Sequence, residues 1–86
     1  MGTKNNPGTF DCYANAGPDE PMFILLGRDP HAHHAVRRWA ADRIGMIYMG
    51  EKPESDMAMV REAQTCADEM EHYAIAWKNK KQGDQP

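Results

Sequence analysis

Met57-Ala-Met-Val-Arg-Glu-Ala-Gln-Thr-Cys-Ala-Asp-Glu-Met-Glu-His-Tyr-Ala-Ile-Ala-Trp77 is the stretch that decides the fold. Within it Val60, Ala63, Ala67, Met70, Ala74 and Trp77 recur at spacings of 3, 4, 3, 4 and 3. That rhythm puts the apolar side chains on one stripe of a helix and leaves charge on the rest. Such a stripe must be covered by a partner helix. Pro30 to Met49 is the segment suited to cover it, so an all-α helical hairpin of two long antiparallel helices is the expected fold.

The first helix should begin at Asp29-Pro30. An Asp carboxylate accepts hydrogen bonds from free first-turn amides, and proline at the first helical position gives up no needed donor. Ala32, Val36, Trp39, Ala40, Ile44 and Ile47 are its expected buried face. Gly45 weakens the helix by roughly 1 kcal/mol relative to alanine, and a bend or a close helix contact there would account for it. Gly50 and Lys52-Pro53 end the helix. Pro53 or Ser55 starts the second, which is expected to run to about Trp77, with Lys78, Lys80 and Lys81 favouring its C-terminal dipole.

Upstream of the hairpin, residues 1–9 are polar and expected to be flexible. Phe10 to Ala16 has the makings of a short helical turn, closed by the breaker pair Gly17-Pro18. Met22-Phe-Ile-Leu-Leu26, set between Pro21 and Gly27, suits an extended segment or one turn of buried helix, and periodicity does not choose between them. An N-terminal extended arm packed across the hairpin is the preferred reading, because no second strand is visible. The expected organisation is therefore a single domain over 10–81 with a flexible tail at 82–86.

The chain has 86 residues, close to the size at which one core is marginal. Much of the apolar content is alanine, which packs helices closely but buries little area, so self-association into a homo-oligomer is expected. A net charge of −3 argues against a binder of duplex DNA. The apolar run Met22 to Leu26 is too short to cross a bilayer, and Met1 to Pro7 lacks the apolar core of a signal peptide. Cys12 and Cys66 lie outside any paired ligand spacing. One disulfide remains open, with a reduced thiol pair in a soluble cytoplasmic protein the simpler reading.

Charge divides between the helices. Arg37, Arg38 and Arg43 face a single acid, Asp42, in the first; the second sets Glu54, Asp56, Glu62, Asp68, Glu69 and Glu71 against Arg61. Opposite signs favour antiparallel pairing, as an orienting effect more than a stabilising one.

Candidate sites are few. His31 and His34 share a helix face beside His33, but their spacing enforces no third ligand, so a solvated first turn is preferred to a metal site. Arg28, after Gly27 and beside a helix N-terminus, is placed to meet a phosphate or carboxylate; a surface pair with Asp29 or Glu20 is the alternative. Arg61 and Thr65 lie four residues apart on one face and suit a phosphate oxygen. The competing reading pairs Arg61 with Glu62 or Asp68. Tyr13, on a loop-like arm with Asn15, offers a stacking surface. No nucleophile–base constellation or glycine-rich phosphate loop has recognisable context, so neither an enzyme nor a cofactor is expected.

Arg61-Glu-Ala-Gln-Thr65-Cys-Ala-Asp-Glu69-Met resembles the C-terminal hairpin helix of the small phage-encoded anti-CBASS cyclic-nucleotide sponges, a hairpin shared with one group of anti-Thoeris sponges. The resemblance covers about ten residues besides the architecture. It implies ligand contacts by Arg61 and Thr65, and a second pocket served by Tyr13 and Arg28, where the family's basic position is Lys. It further implies a non-catalytic, phage-type counter-defence protein that oligomerises and buries cyclic oligonucleotide signals inside the host cell. A protein-binding inhibitor of a host complex, using the acidic second helix as a nucleic-acid mimic, is the alternative of a different class. A structural accessory protein is the third. The first needs Arg61 and Thr65 free to converge across an interface, the second needs Glu62, Asp68, Glu69 and Glu71 exposed.

Overall fold

A computed structural model describes residues 1–83, with side chains through Lys80, and shows helices and no strand among them. They are α1 (Cys12–Asn15), α2 (Ala32–Tyr48) and α3 (Met57–Gly83), the last entered through a 3₁₀ turn at Glu54–Asp56. α2 spans 17 residues and α3 spans 27.

The seam is where the apolar rhythm puts it. Val60, Ala63, Ala67 and Ala74 of α3 are buried against Ala32 and Ala40 of α2. Nearly all are alanines, so the backbones approach closely and the core gains little area per residue. Val60 is the largest side chain that is fully buried. Met70 is half-buried, and Trp77 at the end of the stripe is 39% exposed. On α2 the expected buried face is thinner than its spacing suggests. Val36, Ile44 and Ile47 are half-buried and Trp39 is exposed, because two helices in contact along one seam leave the flanks of each uncovered.

Ion pairs fix the direction of the hairpin. Arg37 reaches Asp68 at 2.8 Å and Glu71 at 2.7 Å, and Arg43 reaches Asp56 at 2.9 Å. Rising numbers on α2 meet falling numbers on α3, as antiparallel packing requires. The basic side of α2 does face the acidic side of α3.

The start of α2 departs from expectation. Two successive turns, Leu26 to Asp29 and Asp29 to Ala32, precede the helix, and regular helix begins at Ala32. The Asp29 carboxylate does accept an early amide, that of His31 at 2.9 Å, but from within a turn. The end of α2 follows the rules closely. Glu51 N–H donates to the Met46 carbonyl and Gly50 N–H to that of Ile47, with Gly50 at φ +79°. This is a Schellman closure with glycine in the left-handed position. Gly45, by contrast, has open space around its Cα, so the close helix contact suggested for it is not formed.

α3 runs six residues past Trp77, to Gly83. Of the expected tail, Gln82 and Gly83 thus belong to α3, and 84–86 lie outside the described residues. Residues 1–9, expected to be flexible, lie against α3 and are tied to Glu62. α1 is the short turn foreseen before Gly17-Pro18, begun by Asp11, whose carboxylate accepts from Ala14 N–H. From Glu20 to Leu26 the chain shows neither helix, turn nor bend. This extended arm passes along α3, and Gly27 backs onto Tyr73, where a Cβ would stand 3.5 Å from the ring.

Candidate functional site

Arg61 and Thr65 stand one turn apart on the outer side of α3, and both are exposed. Neither carboxylate that competes for Arg61 reaches it. Glu62 turns to the N-terminal segment, accepting from Thr9 N–H at 2.6 Å and Phe10 N–H at 2.9 Å. Asp68 turns to Arg37. Among the described residues Arg61 makes no ion pair, whereas Arg37, Arg38 and Arg43 all do. Thr65 borders a shallow 220 Å³ cleft between α3 and the N-terminal segment, along with Gly2, Gly8, Glu62 and Glu69. Arg61 lies outside that cleft, so the two residues share a helix face and not a pocket.

Tyr13 and Arg28 are not brought together. Tyr13 is exposed on α1 beside a 360 Å³ cleft formed with Met1, Phe10 and Ile24. Arg28 lines a different cleft of 450 Å³, with Pro30, His33, Ile75, Trp77 and Lys78. The two clefts have no lining residue in common. Arg28 forms neither of the surface pairs considered for it; its guanidinium lies over the Trp77 ring, 5.2 Å from the centroid. Trp77 in turn stacks on Tyr73, with centroids 6.2 Å apart. By spacing alone Trp77 belongs to the seam. What the spacing could not show is that the arm returns to this point and lays a cation on the exposed indole face, a favourable contact with the ring quadrupole.

The electrostatics of α3 are set by local partners. Burial pushes the Glu62 carboxyl up, but the amides of Thr9 and Phe10 and the Met1 ammonium together hold it below its ordinary value. Hydrogen bonding and charge from Arg37 hold Glu71 down in the same sense. Both are ionised anchors rather than free acids. Burial, helped by the Glu69 charge, pushes the Cys66 thiol up. Cys66 and Cys12 are both free thiols.

The histidines divide by environment. His33 is buried, and its Nδ1 accepts from Arg37 Nη1 at 2.7 Å, so in neutral His33 the proton sits on Nε2. Arg37 therefore ties His33, Asp68 and Glu71 together across the hairpin. His34 packs tilted against His33 and is exposed, as is His31. Among the described residues no three His, Cys, Asp or Glu side chains converge as a metal site.

Comparison of the chain with protein-family models, with curated proteins and with solved structures finds no match. The roles that spacing missed are those of Glu62 and Arg37. An acid inside an acidic helix gives no local hint that it anchors a segment 52 residues away. Arg37 was signalled only by the general charge asymmetry of the two helices.

Proposed function

We propose that this protein is a non-catalytic, self-associating binding protein of the phage counter-defence type, which sequesters a cyclic oligonucleotide signal. Arg61 and Thr65 hold a phosphate, and symmetry-related copies supply the same pair to the next phosphate of the ring. The observation that carries this reading is the state of Arg61: exposed, without a carboxylate partner among the described residues, and one turn from an exposed hydroxyl. A guanidinium left unpaired amid so many acids is available for an external anion, and its planar fork suits a phosphate. Sequestration requires affinity and copy number alone.

The same contacts weigh against the acidic-mimic inhibitor. That role needs Glu62, Asp68, Glu69 and Glu71 exposed; Asp68 and Glu69 are, but Glu62 and Glu71 are half-buried, and all except Glu69 make contacts within the chain. Arg37 is shared by Asp68 and Glu71, and Glu62 is held by the Thr9 and Phe10 amides with the Met1 ammonium.

Calorimetric titration with cyclic di- and trinucleotides tests the assignment. A charge-assisted hydrogen bond contributes about 1.5–3 kcal/mol, so Arg61→Ala should weaken binding roughly ten- to hundredfold. Thr65→Val should weaken it less, since a neutral hydroxyl contributes about 1 kcal/mol. Undiminished affinity in Arg61→Ala would remove the site from α3.

A further inference from the structure

The 450 Å³ cleft beside the start of α2 gathers more hydrogen-bond donors than the chain itself engages. Arg28 reaches it from the Leu26–Asp29 turn, His33 from the first turn of α2, and Trp77 and Lys78 from α3. Among the described residues neither Arg28 nor Lys78 makes an ion pair. Glu71 is the one acid on the cleft wall, and it is turned to Arg37 at 2.7 Å. The Arg28 guanidinium rests on the Trp77 ring, which steadies its plane and leaves the N–H groups at its edge free.

His33 gives this cleft a fixed donor. It is only 7% exposed, and its Nδ1 is taken by Arg37. Nε2, which carries the proton of the neutral ring, makes no hydrogen bond among the described residues. No buried side-chain nitrogen among them goes without a partner, so Nε2 lies on the small surface that His33 contributes to the cleft. Backbone donors stand open at the same end of α2. His31 caps the helix without a side-chain hydrogen bond, and the Asp29 carboxylate is engaged by the His31 amide. The amides of His33 and His34 have no partner among the described residues. A helix start in this state favours an anion.

We propose that this cleft binds a small phosphomonoester, its phosphate held by Arg28, Lys78 and His33 Nε2–H and its organic group laid against Ile75 and Trp77. The donors arrive from a turn, from α2 and from α3. A tetrahedral group with several acceptor oxygens meets all of them, whereas a flat carboxylate offers its oxygens in a single plane. A monoester also carries about −1.5 to −2 charge at pH 7, which suits a pair of cations at a helix start better than the single charge of a diester. Ile75 and Trp77 remain 53% and 39% exposed, an apolar wall that bare phosphate would leave uncovered. Tyr13, Arg61 and Thr65 are not on this cleft, so the site goes beyond the cyclic-nucleotide reading and does not depend on it.

Tryptophan emission reads the site directly. Trp39→Phe leaves Trp77 as the only tryptophan, and titration of that protein with phenyl phosphate should give a saturable change. Arg28→Gln should raise the midpoint roughly ten- to hundredfold and Lys78→Gln roughly tenfold, with circular dichroism unchanged because both residues are exposed. Arg61→Ala should leave it where it was. Inorganic phosphate lacks the organic group, methyl phenyl phosphate lacks the second charge, and phenylacetate is flat; each should bind more weakly than phenyl phosphate. Absence of a saturable change overturns the site, as does a midpoint indifferent to both Arg28→Gln and Lys78→Gln. A control that matches phenyl phosphate overturns the monoester as ligand. Loss of cyclic-nucleotide binding in Arg61→Ala with this titration intact separates the two sites, and failure of the cyclic nucleotides alone leaves this one standing.

Discussion

Ala67→Leu is the substitution that most sharply probes how the hairpin is held. Ala67 is fully buried at the centre of the seam, with Ala63 one turn before it and equally buried. A leucine there has no void to enter. Either the helices separate, which would also lengthen the Arg37 contacts to Asp68 and Glu71, or the new side chain takes a strained rotamer. Overpacking of this kind costs about 1–3 kcal/mol. For a domain of this size each kcal/mol lowers Tm by roughly 4–8 °C, so a fall on the order of 10 °C is expected. The assay is thermal unfolding followed by circular dichroism, at one protein concentration because the proposed self-association would also move Tm. Ala76→Leu is the matched control: Ala76 is on the same helix but exposed, and leucine and alanine have similar helix propensities. The control should unfold within about 4 °C of wild type, as surface changes usually stay within ~0.5 kcal/mol. If Ala67→Leu were as stable as Ala76→Leu, the alanine seam would not be a close-packed contact and the reasoning about the hairpin would fail.

Two glycines in α2 and its closure should respond in opposite directions. Gly45→Ala meets open space in a regular helix and should stabilise by about 0.5–1 kcal/mol, whereas Gly50→Ala forces a Cβ into the left-handed region and should cost about 1–2 kcal/mol; urea denaturation of the pair reads both. Acid should loosen the fold. Glu62 and Glu71 both have folded values below the ordinary 4.5, so their contribution is complete above that value and is lost as pH falls through the lower, folded one. Unfolding midpoints should therefore drop below about pH 4.5, and Glu62→Gln should flatten part of that dependence; a midpoint that is level or rises towards acid would contradict the sign.

The hairpin was legible in the sequence because its cause is periodic. Alanines three and four residues apart point to burial against another helix, and the short connection between Tyr48 and Glu54 leaves antiparallel packing as the accessible arrangement, with the opposite charges of the two helices favouring it. The helix boundaries were less legible. Asp29-Pro30 carries every local sign of a helix start, yet the chain spends two turns bringing the arm around to α3 before regular helix begins. Trp77 fits the stripe by spacing, but the arm returning with Arg28 makes it a surface for a cation instead. The site was the least legible part. Arg61 and Thr65 share a face by simple helix geometry, whereas the freedom of Arg61 depends on what Glu62 and Asp68 do. Those contacts span tens of residues, and spacing within α3 says nothing of them. Tyr13 and Arg28 shared a pocket only through a resemblance, and the arm between them leads to two separate clefts.

Equilibrium dialysis of the protein against a mixture of cyclic di- and trinucleotides, with linear nucleotides alongside, bears most directly on the sequestration reading. Mass spectrometry of both compartments then reports what was held and whether it changed. The expected result is saturable retention of a cyclic species in fixed ratio to protein, with the ligand recovered intact after the protein is denatured. Equal concentrations of every nucleotide on both sides, or recovery of a cleaved product, would contradict it.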